Sequence, residues 1–213
     1  MKKKILLILL VVAGFWACKN EKKDAQVNTE KAQQESPQNK QEDTQIDHKA
    51  YKMKGMLIAK STFKVFKSKI EEIGPKEGLP AVVGFCHDNA LKLTDSLGEK
   101  HHVVIKRTSH KLRNPDNKPT AEEQKIIDQY LQQQKENKQL EPVVQTDEEG
   151  YVHFYAPIKL KEKCLQCHGQ PGSDIHEEVY KVIKEKYPED QATGFKKGEF
   201  RGIWDIKFLK EKE

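Results

Sequence analysis

Apolar positions follow three patterns along the chain: a short unbroken run near the N-terminus, a long polar stretch, and then regular spacing to the end. Residues 19–49 form the polar stretch, with no aromatic residue and only Val27 and Ile46 as large aliphatic ones. Such a segment buries too little apolar surface to offset the entropy lost on ordering. The pattern predicts a disordered linker over residues 18–49 and a folded domain over residues 50–213.

Two helices are predicted at the start of the folded part, because apolar residues recur there at intervals of three and four. The first follows Tyr51 and is expected to end near the Gly74-Pro75 breaker. Its apolar positions are Met53, Met56, Leu57, Phe63, Phe66 and Ile70. The second covers about residues 79–97, with Cys86 on its apolar stripe, and is expected to stop at Gly98.

Strands dominate the rest of the domain. Thr120 and Glu123 form a capping-box pattern before a predicted helix over residues 121–135. The predicted strands cover residues 102–107, 143–146, 151–158 and 202–209, with one more helix over residues 173–186. Asp147 to Gly150 reads as a hairpin turn, and the last strand alternates as if one face were buried. Helices followed by mostly antiparallel strands predict an α+β fold.

The N-terminus has the features of an export signal. Lys2, Lys3 and Lys4 precede an apolar run, residues 5–17, that is too short to span a bilayer comfortably. The run ends at Ala17-Cys18, which resembles a bacterial lipobox, although Phe15 and Trp16 depart from its usual residues. We therefore expect a signal peptide over residues 1–17 and a lipid on Cys18, with ordinary cleavage or an uncleaved anchor as alternatives. The expected location is the periplasm or cell surface, anchored to a bacterial membrane, and the outer membrane is preferred.

Charge argues against a nucleic-acid partner. The formal net charge is +5, which falls to +2 when the three leader lysines are removed. Lysines alternate with Glu and Asp along the chain, whereas a nucleic-acid binder concentrates its positive charge on one face. The expected partners are a membrane, through the lipid, and a redox protein whose identity the sequence does not give.

One motif carries specific chemistry. Cys164, Cys167 and His168 form Cys-x-x-Cys-His, the attachment signature of haem c. Two thiols on one turn can bond the two vinyl groups of a porphyrin, while the histidine reaches the iron as its proximal ligand. The alternatives are a redox dithiol, half of a zinc site, or a disulfide with an incidental histidine. No second paired motif supplies further zinc ligands, so we expect one covalent haem c.

A fourth cysteine then has no partner. Cys86 is either a small buried hydrophobe on its helix or the sixth ligand of the iron, bound as thiolate. His87 follows it about 100° around the helix and is expected to face solvent. Met53 and Met56 are alternative axial ligands, although their helical spacing favours the core.

Several separated motifs resemble one known family. They are Arg107-Thr108-Ser109, Arg113-Asn114-Pro115, Asn117, Pro119, Tyr155-Ala156-Pro157-Ile158, the Cys-x-x-Cys-His-Gly stretch, Ala192-Thr193-Gly194-Phe195, Gly198 and Arg201-Gly202. Their order is similar to that of the single-haem c-type family with a PAS-like fold. The resemblance implies an antiparallel sheet with flanking helices and Cys/His ligation of the iron, with Cys86 as the distal ligand. His87, directly after it, keeps a His/His alternative open.

Arginine is rare in this chain. Arg107, Arg113 and Arg201 are its only arginines, and all three lie within the matched motifs. Because arginine grips carboxylates with two parallel hydrogen bonds, we expect contacts with the haem propionates. The alternative is a structural pairing with Asp116, Asp190 or Asp205, or with loop carbonyls. Five histidines are expected to be exposed: His101, His102, His110, His153 and His176.

Two functions follow from a six-coordinate haem. The first is electron transfer, in which a thiolate ligand would hold the reduction potential low. The second is a redox or gas sensor that exchanges an axial ligand and signals through a separate partner. No nucleophile, base and oxyanion arrangement is present in the sequence, so we expect no enzymatic activity.

Overall fold

A computed structural model of the chain describes residues 47–210. The predicted signal peptide, Cys18 and nearly all of the predicted linker lie outside these residues. The helices are α1 His48–His101, α2 Ala121–Lys135, α3 Leu165–His168 and α4 Glu177–Lys186, and the strands are β1 Val103–Thr108, β2 Val143–Thr146, β3 Val152–Lys159 and β4 Phe200–Phe208. The predicted α+β class is confirmed. Across residues 47–210, no helix is both long and apolar enough to cross a membrane.

The helical region from His48 to His101 is interrupted once. Gly78 has φ +83° and ψ 169°, which is not helical, and Pro75 and Pro80 lie on either side of it. Pro80 has no N–H to donate to the carbonyl four residues before it and so fits the first turn of a new helix, and glycine adopts positive φ at little cost. The break therefore lies at Gly78, and the prediction at Gly74-Pro75 was wrong by one turn.

The predicted stop at Gly98 was also wrong. Gly98 is buried within α1, and a Cβ there would lie 2.8 Å from the carbonyl oxygen of Val103. Glycine therefore allows β1 to fold back closely against the helix. The helix ends instead at His102, whose backbone is left-handed and whose N–H donates to the carbonyls of Glu99 and Gly98.

The four strands form one antiparallel sheet in the order β1-β4-β3-β2. α1 covers one face through a core of Ile58, Ala59, Phe66, Val103, Ile105, Phe154, Ala156, Trp204 and Ile206. α2 covers part of the other face through Ile126, Ile127, Tyr130, Leu140, Tyr155, Phe200 and Ile203. Consequently β4 is buried on both faces from Ile203 to Ile206, and the prediction of one buried face was wrong.

The capping box and hairpin were predicted correctly. Thr120 accepts the N–H of Glu123, and the Glu123 carboxylate accepts the N–H of Thr120. β2 and β3 pair across the predicted turn, where Gly150 has φ +78°. α4 starts at Glu177 rather than near Ser173, because the N–H groups of Ser173, Asp174 and Ile175 bond the carbonyl of Gln170 in a separate turn.

His153 differs from the expectation of exposed histidines. It is 9% exposed, with Nδ1 2.8 Å from Asp205 and Nε2 3.2 Å from Asp147. These carboxylates come from the neighbouring strand β4 and from the hairpin turn. The sequence did not suggest this burial because α2, which covers that face, is distant along the chain.

Several apolar residues of the first half of α1 lie outside the core. Met53, Leu57, Phe63 and Ile70 are all exposed, and the sheet-facing positions are Gly55, Ile58, Ala59, Thr62 and Phe66. Of the six predicted apolar positions, Phe66 is buried in the core and Met56 packs against it, whereas the other four are exposed. Helical spacing alone cannot decide between two overlapping apolar stripes.

Candidate functional site

The Cys-x-x-Cys-His segment lies on a short turn followed by the single helical turn of α3. Leu165, between the two cysteines, is buried with Leu160, Ala192 and Phe195, and Cys164 packs against this cluster. At Gly169, directly after the motif, a Cβ would collide with the side chain of Asp174. The segment is therefore held from both ends. Among the described residues, all three cysteines are free thiols.

His168 is held in one tautomer. Its Nδ1 lies 2.8 Å from the carbonyl oxygen of Ala192, and a carbonyl can only accept, so Nδ1 carries the proton. The N–H of Phe195 also donates to the His168 carbonyl. Burial, helped by the nearby Arg113 and Arg201, lowers the pKa of His168 well below 6.5. The ring is neutral, and its Nε2 keeps a free lone pair for a metal.

Arg113 joins the motif to the loop that holds His168. Its Nε and Nη2 donate to the two oxygens of Asp190 at 3.0 and 3.2 Å. Nη2 also donates to the carbonyls of Cys167 at 2.7 Å and Ala192 at 3.2 Å. The Asp190 side chain is 1% exposed, so Arg113 and Asp190 form a buried, bidentate ion pair.

Cys86 is brought to the motif by packing of the second half of α1 against α4. Val83, one turn before Cys86, lies in a buried cluster with Ile175, Val179, Ile183 and Tyr187, and Cys167 packs against the same cluster. Burial raises the pKa of the Cys86 thiol, and Arg107 and Arg113 oppose that rise. Burial also raises the pKa of Cys167 to about 11, and a charge on Cys86 would add to it. Cys86 therefore lies one helical turn from the cluster against which Cys167 packs.

The other two arginines are held differently. Arg201 donates from Nη1 to the carbonyl of Lys111 at 2.9 Å, and burial beside Arg113 lowers its pKa to about 9. Arg107 stacks on Phe66, 4.1 Å from the ring centre, and lies 5.4 Å from that of Trp204. Within residues 47–210, no hydrogen-bond acceptor contacts the Arg107 guanidinium. Its positive charge opposes the rise that burial causes in the pKa of Cys86.

His87 lies at the edge of the site. Its side chain is 41% exposed, and Nδ1 lies 2.6 Å from the carboxylate of Asp88. Its ring centre is 5.2 Å from that of Tyr187. Burial raises the pKa of Tyr187 to about 12, with Cys86 adding to the effect. The structure therefore links Cys167 and His168 through Arg113 and the Ala192 carbonyl, places Val83 of the Cys86 helix in the cluster against which Cys167 packs, and leaves His87 on the solvent side.

These residues suit a covalent haem. The donor set contains two free thiols on one turn and an imidazole whose Nε2 is unprotonated. It also contains a third thiol from a separate helix and an arginine without an acceptor. Throughout the described part of the chain, no three His, Cys, Asp or Glu side chains form a metal cluster, so the zinc alternative lacks further ligands.

Sequence reasoning missed two contributors to this site. The Ala192 carbonyl orients His168, and the Tyr187 ring lies 5.2 Å from that of His87 and 6.0 Å from the Arg113 guanidinium. Ala192 belongs to a motif that the sequence analysis identified. Every residue has a backbone carbonyl, however, so the residue type could not predict that this one would bond His168. Asp190 had been considered only as one of three alternative partners for an arginine.

Comparisons with known proteins agree with these observations. A family model described as Tll0287-like matches residues 19–208. One solved structure, the crystal structure of the cyanobacterial heme-protein Tll0287, is 28% identical and covers 57% of this chain and 70% of its own, with a TM-score of 0.48. No curated protein matches.

Proposed function

The chain belongs to the Tll0287-like family, and we propose that it is an exported, lipid-anchored protein with one covalent haem c that transfers electrons. Family membership supports a haem cofactor, since the solved relative is described as a heme-protein. Within the α+β architecture, we assign the sheet and its helices to a PAS-like domain. Covalent attachment, export and electron transfer are proposals that rest on the residues of the site.

Attachment is assigned to the two cysteines of the motif. Cys164 and Cys167 lie on one short turn as free, partly exposed thiols. Buried Leu165 fixes that turn to the core, so both sulfurs are presented from a rigid base. This arrangement suits thioether bonds to the two vinyl groups of one porphyrin.

His168 is the proposed proximal ligand, and its contact with Ala192 is the observation that carries the proposal. A ligating histidine donates its other ring N–H to a carbonyl or carboxylate, which fixes its tautomer and increases its basicity. The Nδ1 hydrogen bond of 2.8 Å meets that requirement. Arg113 and Asp190 support the same loop, so the ring is oriented by a buried network.

Cys86 is the proposed distal ligand. It lies on a different helix from the motif, one turn from Val83, whose cluster Cys167 also joins, so it would approach a haem bound at the motif from a separate element. Arg107 and Arg113 favour its thiolate against the effect of burial. When bound, the haem would supply a one-electron redox couple, and a thiolate ligand favours its ferric form. With both axial positions filled by protein groups, electron exchange is favoured over substrate turnover, so we propose no enzymatic role.

Among the arginines, Arg107 is the best candidate for a propionate contact. Arg113 already uses its donors on Asp190 and two carbonyls, and Arg201 bonds a loop carbonyl. Arg107 stacks on aromatic rings but has no acceptor among the described residues. Arg107 is half-buried, and a propionate would give its guanidinium a charged, bidentate acceptor.

His87 provides a reason to keep a sensor as the second candidate. It adjoins Cys86 and has an exposed imidazole, so it could replace the thiolate when the iron is reduced. Such an exchange would be a two-state element able to signal through a separate partner. A gas that displaces Cys86 would act through the same position.

Spectra of the wild type and of two variants separate these functions. The Cys86→Ala variant should change the ferric spin state and charge-transfer bands, while His87→Ala should leave the ferric spectrum unchanged. If Cys86→Ala has the wild-type ferric spectrum, Cys86 is not a ligand. For an electron carrier, carbon monoxide should leave the reduced spectrum of the wild type unchanged. A rapid Soret shift that depends on Cys86 or His87 would instead favour the sensor.

A further inference from the structure

The first half of α1 differs in charge from the rest of the domain. Between His48 and Ile70 there are seven lysines and no Asp or Glu, so the interleaving of lysine with acidic residues that was expected along the whole chain fails here. All seven lysines are exposed. Only two of them pair with carboxylates, Lys67 with Glu71 at 3.2 Å and Lys69 with Glu72 at 2.9 Å, both at the far end of the segment.

The same stretch exposes large apolar side chains. Met53 is 56% exposed, Leu57 68%, Phe63 46% and Ile70 39%, which makes four of the six large hydrophobic side chains that the described residues expose. At 100° per residue these four lie within about 140° on the side away from the sheet. We call this surface, with Lys52, Lys60 and Lys64 among its apolar residues, the basic face of α1.

We propose that the basic face of α1 lies on an anionic phospholipid bilayer. A helix that combines a lysine-rich surface with large exposed apolar side chains is typical of one lying in the membrane interface. Lysines beside the bilayer attract anionic headgroups, and Leu57 and Phe63 can enter the boundary between headgroups and acyl chains. This inference rests on the lipid anchor of the proposed function, because α1 begins directly after the tether that would link it to Cys18.

A protein partner suits this surface less well. The cores of protein interfaces are depleted in lysine, whereas here lysines separate the apolar residues. A second copy of the chain would place lysine against lysine, because no Asp or Glu lies between His48 and Ile70. The bilayer therefore meets both the charge and the apolar character of the basic face. Contact there would fix which side of the domain faces the membrane.

The experiment uses the full mature protein, whose lipid and haem are first established by intact mass. The protein is held by its lipid on vesicles of phosphatidylcholine alone or of phosphatidylcholine with phosphatidylglycerol. Lysines are then acetylated and quantified by mass spectrometry. On the anionic vesicles, Lys52, Lys60 and Lys64 should react several-fold more slowly, and high salt should restore their rates. The exposed lysines Lys125 and Lys181 should react equally on both vesicles.

Matched variants test whether the lysines and the apolar side chains of the basic face cause the docking. The triple variant Lys52→Gln, Lys60→Gln, Lys64→Gln should weaken docking by about five-fold per lysine removed, so that Lys49 and Lys54 lose their protection. The variant Lys125→Gln, Lys135→Gln, Lys181→Gln, with the same change of charge, should dock as the wild type does. The double variant Leu57→Gln, Phe63→Gln should also weaken docking, although it leaves the charge unchanged.

Three results would overturn the proposal. Equal acetylation of the basic face on both vesicles would exclude docking on anionic lipid. If these lysines are protected from acetylation without vesicles, and the protection increases with protein concentration, a second copy of the chain covers the basic face. Protection that requires an added acidic protein would mean a protein partner. Because lipid and haem are established beforehand, each of these outcomes leaves the proposed haem function standing.

Discussion

Replacing Asp190 by asparagine tests the network that supports the proposed iron ligand. The carboxylate is 1% exposed and accepts hydrogen bonds from both Nε and Nη2 of Arg113, whose side chain is 13% exposed. Removing one charge of a buried pair leaves the other without compensation, at a cost of about 3–5 kcal/mol. The amide can still accept one hydrogen bond, so we expect Asp190→Asn to lose about 3 kcal/mol of unfolding free energy, at the lower end of that range.

Urea unfolding followed by circular dichroism measures this loss. The matched control is Glu136→Gln, which removes the carboxylate of a solvent-exposed pair with Lys138 and should leave the unfolding free energy nearly unchanged. Arg113 also bonds the Ala192 carbonyl that orients His168, so Asp190→Asn should alter the haem spectrum as well. If the two variants lose equal stability and both keep the wild-type spectrum, the network does not support the ligand.

Three further predictions concern the fold and the motif. Gly98→Ala should destabilise the domain by about 1–3 kcal/mol, because its Cβ would press on the Val103 carbonyl. Gly74→Ala, whose Cβ would have its nearest neighbour at 3.7 Å, should be neutral or stabilising in the same thermal melts. Burial would lower the pKa of His153, but Asp205 and Asp147 raise it above 6.5. Its contribution to stability should therefore be full below pH 6.5 and decline as the pH rises through the folded pKa. Urea titrations of wild type and His153→Gln should accordingly converge at high pH, and a constant difference would contradict the shift. Cys164→Ala, Cys167→Ala protein should show no haem stain after denaturing electrophoresis, whereas a persistent stain would remove the covalent assignment.

Local signals predicted the local elements well. The capping box at Thr120 and the hairpin turn ending in Gly150 each depend on a few neighbouring residues, and the structure has both. The helix break lies at Gly78 rather than at Gly74-Pro75, and the helix is capped at His102 rather than stopping at Gly98. Pro80 determines the position of the break, and the packing of β1 determines the position of the cap. Long-range packing also buried His153 and the second face of β4. Sequence periodicity contains no information about which distant helix covers a given strand.

The residues of the site also differ in how far local sequence predicted them. Cys164, Cys167 and His168 are adjacent in sequence, so their spacing alone predicted the motif. Cys86 was named through the family resemblance, and the packing of Val83 beside Cys167 now gives its position a physical basis. The surface on α1 was missed, since apolar residues at helical spacing look the same whether they pack in a core or face solvent. Only the position of the sheet distinguishes Phe66 from Phe63.

The central claim is that one haem is bonded to Cys164 and Cys167 of this chain. Intact mass spectrometry of denatured protein, produced in bacteria with the haem-attachment machinery, tests it directly. We expect the mature chain to be heavier by one haem, with the added mass on the peptide that contains both cysteines. A mass equal to that of the processed polypeptide and its lipid, with no haem added, would contradict the claim.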